Sequence, residues 1–286
     1  MWIHYNNPEY FKPEYFNIMY WKNGKLIPQE FLEDPDPTLV PMVYEVFRVL
    51  KHKPLFLAEH LDRMFHSIEL LGFDKPYSLE QMEKHLFELL DTEPERIGNI
   101  KIRLSWWPEP VLEIGYIPHS YPPFQEQSEG VVVSTFHAIR NTPNIKLWNA
   151  ALRARTNQVL HDTGVFEVLL VNEDGNITEG SRTNHFYVKD SVLYTAPLES
   201  VLPGITRQKV IDAAENLNIT LIEKYLHESE VGTIDEMFTS GTSAGVQPIA
   251  VVNGIRLPEH RPMTIRLQNA YNKMVEQELG PNNYGW

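Results

Sequence analysis

Between residues 175 and 184 the chain reads Gly175-Asn176-Ile177-Thr178-Glu179-Gly180-Ser181-Arg182-Thr183-Asn184. Two glycines, three hydroxyl side chains and one carboxylate stand among these ten positions. Glu167–Val171 precedes the run and His185–Val188 follows it, both rich in β-branched or aromatic residues. The pattern reads as strand, polar connection, strand, with the Glu179 carboxylate set between the two strands.

Working outward, Val192–Thr195 adds a strand. Thr206–Leu217 reads as a helix entered through Pro203-Gly204, and Asn253-Gly254 between apolar runs is a hairpin signal. The last helix is expected from Pro262 to Leu279. Upstream, Val131–Phe136 is a β-branched strand, and Leu147–His161, rich in Ala, Leu and Arg, reads as a helix that ends before Gly164. In the first half, Val43–Val49 alternates like a strand, with Phe47 leaving its phase open. Leu61, Met64, Phe65, Ile68 and Leu71 follow helical spacing up to Gly72. Ser78 with Gln81 forms a capping box opening a helix to about Leu90. Ile100–Trp106 and Val111–Ile117 read as a strand pair. Strands and helices mix without regular βαβ alternation, so the expected class is α+β.

Proline marks the main joint. Pro118–Gly130 has three prolines and no periodicity. The expected division is a smaller N-terminal domain over residues 1–120, a linker over 121–130, and a larger C-terminal domain over 131–286 that carries Lys146.

The 286 residues hold 25 Lys and Arg against 38 Asp and Glu, a net charge of −13. Such an acidic chain lacks the basic footprint that nucleic acid requires. At 42% hydrophobic and 22% charged it has the composition of a globular protein rather than a disordered one. No cysteine is present, which removes disulfides, thiolate metal sites and thiol nucleophiles. The N-terminal stretch lacks the basic flank and apolar run of a signal peptide, and no apolar stretch is long enough to span a bilayer. A cytoplasmic location is the expectation. His60 and His66 are six apart and no His-Glu-x-x-His occurs, so no metal is expected.

With the opening stretch, five segments carry chemistry. Gly241-Thr242-Ser243-Ala244-Gly245 matches the Gly-x-Ser-x-Gly elbow of serine hydrolases, which demands a helix after the serine. Here Val246–Val252, with Pro248 and β-branched residues, follows instead; a glycine-bounded hydroxyl loop also suits an anion. Leu202-Pro203-Gly204-Ile205-Thr206-Arg207 opens a helix whose first N–H groups suit a phosphate. Arg63, in the first helix, brings a guanidinium. Lys146, in Asn144-Ile145-Lys146-Leu147-Trp148-Asn149, stands among apolar neighbours, where an amine becomes a usable nucleophile. Glu179 supplies the carboxylate.

Taken in this order, the segments resemble the fold-type IV family of pyridoxal-phosphate enzymes, which holds branched-chain and D-amino-acid aminotransferases and aminodeoxychorismate lyases. The resemblance runs from about Val43 to Pro248, and its most specific element is Thr-Glu-Gly-Ser-x-x-Asn at 178–184. It implies a two-domain α+β fold like that of D-amino-acid aminotransferase, with pyridoxal 5'-phosphate between the domains and a homodimer sharing residues at each site. It also implies roles. Lys146 resembles the lysine that carries the cofactor and then moves the substrate's α-proton, and Glu179 the carboxylate at the pyridine nitrogen. Arg63, Gly204, Ile205, Thr206 and Thr242 resemble the phosphate cradle, with Asn149 near the phenolic oxygen. Tyr44, Arg103 and Ser243 are the candidate substrate contacts.

Tyr44-Glu45 resembles the Val-Tyr-Glu strand of the aminotransferases, where the lyases carry threonine at the position of Glu45. Amino acids and 2-oxo acids are therefore the expected substrates, with cleavage of aminodeoxychorismate to 4-aminobenzoate and pyruvate as the alternative. Two departures stand out. Asp34–Pro41 replaces the family's glycine-rich run, which leaves a cofactor-binding relative without turnover as a third reading. The arginine of D-amino-acid aminotransferases that holds the substrate carboxylate falls at Trp106; Arg103 is closer to the branched-chain pattern.

Overall fold

Met42-Val43-Tyr44-Glu45-Val46-Phe47-Arg48-Val49-Leu50 alternates so that Val43, Phe47 and Val49 fall on one face of a strand, and all three are fully buried. This settles the phase that Phe47 left open. In the computed structural model, which describes residues 19–28, 41–118 and 128–280, that strand lies in the sheet of the first of two compact units. The sheet is antiparallel, in the order β2-β1-β6-β5-β3-β4, from β1 (Met19–Lys22), β2 (Lys25–Pro28), β3 (Met42–Leu50), β4 (Lys53–Pro54), β5 (Ile97–Ser105) and β6 (Val111–Ile117). Helices α1 (Leu57–Leu70) and α2 (Leu79–Leu90) cover one face. There Leu61, Met64, Ile68, Met82, Leu86 and Leu89 pack on Val43, Phe47, Ile100, Ile102, Leu104 and Ile114. Ser78 caps α2 as expected: its hydroxyl accepts from the Gln81 N–H, and the Gln81 side chain accepts from the Ser78 N–H.

The second unit holds a mixed sheet in the order β12-β11-β10-β14-β15-β7-β8-β9-β13, with β16 paired to β15. Its strands are β7 (Val131–His137), β8 (Glu167–Val171), β9 (Asn176–Gly180), β10 (Asn184–Lys189), β11 (Val192–Thr195), β12 (Leu221–Glu223), β13 (Leu226–His227), β14 (Glu236–Gly241), β15 (Gly245–Val252) and β16 (Ile255–Arg256). Its helices are α3 (Ala150–Thr163), α4 (Ile205–Asn216) and α5 (Pro262–Leu279). Asn253 and Gly254 both take positive φ, as the two-residue turn from β15 to β16 requires.

Several expectations change. The helix expected from Leu147 begins at Ala150, because residues 146–148 are spent as an extended edge on β3. The Tyr44 N–H donates to the Lys146 carbonyl, the Trp148 N–H to the Met42 carbonyl, and Val43 bridges Leu147. These bonds bring Ile145–Ala150 into the first unit, whereas the sequence boundary places Lys146 in the C-terminal region. Glu179 lies within β9 rather than in a connection. Strands β1 and β2 had no expectation. Most of the departure at Asp34–Pro41 and most of the linker lie outside the described residues.

Candidate functional site

Because β4 is only two residues long, the first half of β3 is left as an edge, and Lys146 is seated there. Its N–H donates to Ser67 Oγ on α1, and that hydroxyl donates to the Arg63 carbonyl. Alternation along the edge sends Leu147 toward the helix-side core, while Lys146 and Trp148 share the opposite face with Tyr44. Lys146 Nζ lies 5.2 Å from the centre of the Tyr44 ring, and Trp148 meets that ring edge-on at 5.4 Å. Across the sheet, Tyr44, Arg103, Glu113 and Lys22 pair in register. Arg103 is buried, not an exposed strand residue, and its Nε donates to Glu113 at 2.5 Å.

On the helix side of β3, Arg63 is likewise buried rather than solvated. Its Nε and Nη2 donate to Glu45 at 2.8 and 2.7 Å, and His60 Nδ1 lies 2.8 Å from the same carboxylate. Burial alone would raise the Glu45 pKa. The Arg63 guanidinium, the Lys146 ammonium and the bonds from His60 and Arg63 outweigh burial and hold it well below the usual carboxylate range. Burial pushes His60 below its ordinary value, partly offset by its bond to Glu45.

In the second unit, Glu167 organises the turn after β9. It accepts from the hydroxyls of Ser181 and Thr183 and from the N–H groups of Arg182 and Val168. Gly180 leaves room for this, since a Cβ there would collide with the Thr183 hydroxyl. Glu179 is 2% exposed. Its Oε1 accepts from Arg140 Nε at 2.5 Å, and its Oε2 from the Leu202 N–H at 3.1 Å. Asn184 ties the same loop down by donating to the Leu202 carbonyl. The loop then enters α4 through Gly204, with no side chain capping the helix start. Ile205 and buried Thr206 form its first turn. Thr242 and Ser243 lie in the turn between β14 and β15; Gly241, beside them, packs on Thr183.

The first unit thus gathers Tyr44, Arg63, Arg103 and Lys146, and exposed Asn149 follows just before α3. The second gathers Glu179, Gly204, Ile205, Thr206 and Thr242 around the 178–184 segment. Strand β15 follows Ser243 directly, which removes the helix that a serine nucleophile elbow needs. Sequence reasoning missed the partners: Glu45 and His60 for Arg63, Arg140 for Glu179, and the pin formed by Asn184. The last stands within the quoted motif. No spacing rule links Arg140 to Glu179.

Residues 42–252 match the family model described as amino-transferase class IV. A branched-chain-amino-acid aminotransferase-like protein 1 of Arabidopsis thaliana is 29% identical, over 94% of this chain and 53% of that protein. The chain spans about half the length of the two Arabidopsis relatives it matches. A D-alanine aminotransferase of Bacillus licheniformis is 29% identical over 82% of this chain and 88% of its own. Among solved structures, the branched-chain amino acid aminotransferase from Escherichia coli superposes with a TM-score of 0.78. It shares 24% identity and covers 94% of this chain and 98% of its own, a likeness of fold. Another branched-chain amino acid aminotransferase, solved with pyridoxamine 5'-phosphate, superposes with the same TM-score of 0.78 at 23% identity.

Proposed function

Because the chain belongs to the class IV aminotransferase family, we propose that it is a pyridoxal-phosphate-dependent aminotransferase moving an amino group between an amino acid and a 2-oxo acid. The observation that carries this reading is the second unit's cradle. A buried carboxylate, Glu179, is fixed beside a loop that enters a helix through a glycine with no side-chain cap. A helix start suits a phosphate, and a fixed carboxylate suits a protonated pyridine nitrogen. When bound, the cofactor supplies an electron sink for the substrate's α-carbon.

In this reading Lys146 offers its Nζ first as the attachment point and then as the base that carries the proton from the α-carbon. Its backbone is held by Tyr44 and Ser67, and its Nζ lies over the Tyr44 ring. Glu179 keeps a proton on the pyridine nitrogen, and Arg140 orients the carboxylate. Gly204, Ile205 and Thr206 hold the phosphate through the helix start, with Thr242 and Arg63 completing the cradle and Asn149 near the phenolic oxygen. Tyr44, Arg103 and Ser243 are assigned to the substrate. Glu45, where the lyases carry threonine, is taken up by Arg63 and His60, which weighs for transamination over elimination.

The same reading carries a homodimer working in the cytoplasm, and a division near residues 120–131 into two domains. Among the described residues no helix is long and apolar enough to cross a membrane. Borohydride reduction of the cofactor-loaded protein, followed by peptide mapping, tests the assignment. The adduct is expected on Lys146, and its absence from Lys146→Ala. A screen of D- and L-amino acids should then show the visible band bleached and a 2-oxo acid released. An adduct on another lysine, or a protein that takes up no cofactor, overturns the reading.

A further inference from the structure

Alternation on β5 sends Ile100, Ile102 and Leu104 into the core under the helices, so Lys101 and Arg103 leave the opposite face. That is the face of Tyr44, Trp148 and Lys146. Arg103, the expected substrate contact, gives its Nε to Glu113, which also pairs with Lys22. Lys101, two residues earlier, is 8% exposed. Its Nζ lies 4.0 Å from the centre of the Trp148 ring and 5.4 Å from that of Tyr44. Lys146 Nζ lies over the same Tyr44 ring at 5.2 Å. Two ammonium groups therefore share one aromatic ring, and one of them is the proposed attachment point.

We propose that Lys101 is a specificity-determining residue that recognises a carboxylate of the substrate and thereby selects acids over neutral amines and carbonyls. The inference rests on the assignment of Lys146. An ammonium stacked on two aromatic faces is already ordered, so an anionic ligand has less side-chain freedom to freeze. A desolvated cation makes stronger charge-assisted hydrogen bonds than one in water. Its ammonium can donate up to three N–H groups to a carboxylate, and a guanidinium at the same position would keep the charge and the donors.

The test is calorimetric binding of two unreactive ligands, glutarate and 4-methylpentanoate, to the cofactor-loaded protein, to Lys101→Met and to Lys101→Arg. The methionine variant should bind glutarate at least about five-fold more weakly, and the arginine variant within about three-fold of the parent. A parallel loss for 4-methylpentanoate means that the lysine reads the carboxylate next to the reacting carbon. A loss confined to glutarate means that it reads the distal one. A smaller loss in the methionine variant, or an arginine variant as weak as methionine, overturns the proposal. If the methionine variant does not fold, Lys101→Gln is held to the same limits. Peptide mapping of the parent separates the two failures: an adduct on Lys146 with no effect at Lys101 overturns this inference alone, whereas no adduct there overturns both.

Discussion

Arg63 on α1 grips Glu45 on β3 with two hydrogen bonds, Nε to Oε1 at 2.8 Å and Nη2 to Oε2 at 2.7 Å. The carboxylate is wholly buried, so the pair joins helix to sheet, besides the phosphate role proposed for Arg63. Removing one partner of a buried pair leaves the other charge uncompensated, at a cost of roughly 3–5 kcal/mol. Arg63→Ala should therefore lose stability in urea denaturation as well as cofactor affinity. Adding Glu45→Leu to that variant should restore much of the stability but not the affinity. Unchanged stability in the single variant would show that the pair does not hold the fold. The Glu45 pKa is depressed in the folded state, so its contribution is present above about pH 4.5, the ordinary glutamate value, and is lost as pH falls below it.

Gly204 has φ −66°, a conformation any residue adopts, so its requirement is steric. A Cβ there would run into Asn184 Oδ1, the residue that pins the Leu202 carbonyl. Gly204→Ala should cost about 1–3 kcal/mol, as overpacking does, and should weaken cofactor uptake because the helix start must shift. A thermal melt and a cofactor titration check both effects. In combination with Asn184→Ala the two costs should be less than additive, since removing the amide removes the clash. Strict additivity would mean that Asn184 is not the obstacle.

How much of this was legible depends on the range of the interaction. The capping box at Ser78 and Gln81 and the Asn253-Gly254 turn are local, and both form as read. Gly204 could be placed at a helix start because glycine before an apolar helical run has a local reason. The helix reading at Leu147 failed because propensity lost to an edge: Tyr44 and Met42 capture the backbone of residues 146 and 148 before α3 begins. Glu179 was legible as a carboxylate in a specific motif, but its partner Arg140 is 39 residues away, and their pairing is made by the sheet. Arg63 and Arg103, whose ordinary surface reading is exposure, are buried because Glu45 and Glu113 stand opposite them on strands. No periodicity announces such a pairing.

His185 on β10 is fully buried, and neither ring nitrogen has a hydrogen-bond partner among the described residues. Burial, with Arg207 adding to it, pushes its pKa down to about 4. The unfolded value is near 6.5, so between these values the unfolded chain binds a proton that the folded chain refuses. Stability from this residue is therefore complete at neutral pH and falls as pH drops through that window, by about 2 kcal/mol between pH 7 and pH 5. His60 shifts in the same direction, so the parent will show a steeper total slope. His185→Leu should remove its share. Urea titrations at the two pH values measure the difference. Equal slopes in parent and variant would return His185 to an ordinary pKa.

Glu179→Gln separates a working carboxylate from one that merely holds a loop. Glutamine keeps the size, but its single amide oxygen can accept from only one of the two donors, Arg140 Nε or the Leu202 N–H, so the loop keeps one of its two ties to this side chain. What it loses is the charge, and with it the preference for a proton that an ionised carboxylate would give a pyridine nitrogen bound beside it. Cofactor uptake should persist, and borohydride should still fix the cofactor to Lys146. The half-reaction with an amino donor should slow by roughly two powers of ten, a barrier about 3 kcal/mol higher. Single-turnover bleaching of the visible band measures this directly. Thermal melts on the same samples report whether the loop came loose, since Arg140 would then be left half-buried against a neutral partner. A loss of rate with an unchanged melting temperature places the effect on the chemistry. A parental rate removes Glu179 from the reaction and leaves it as the anchor of the loop that enters α4.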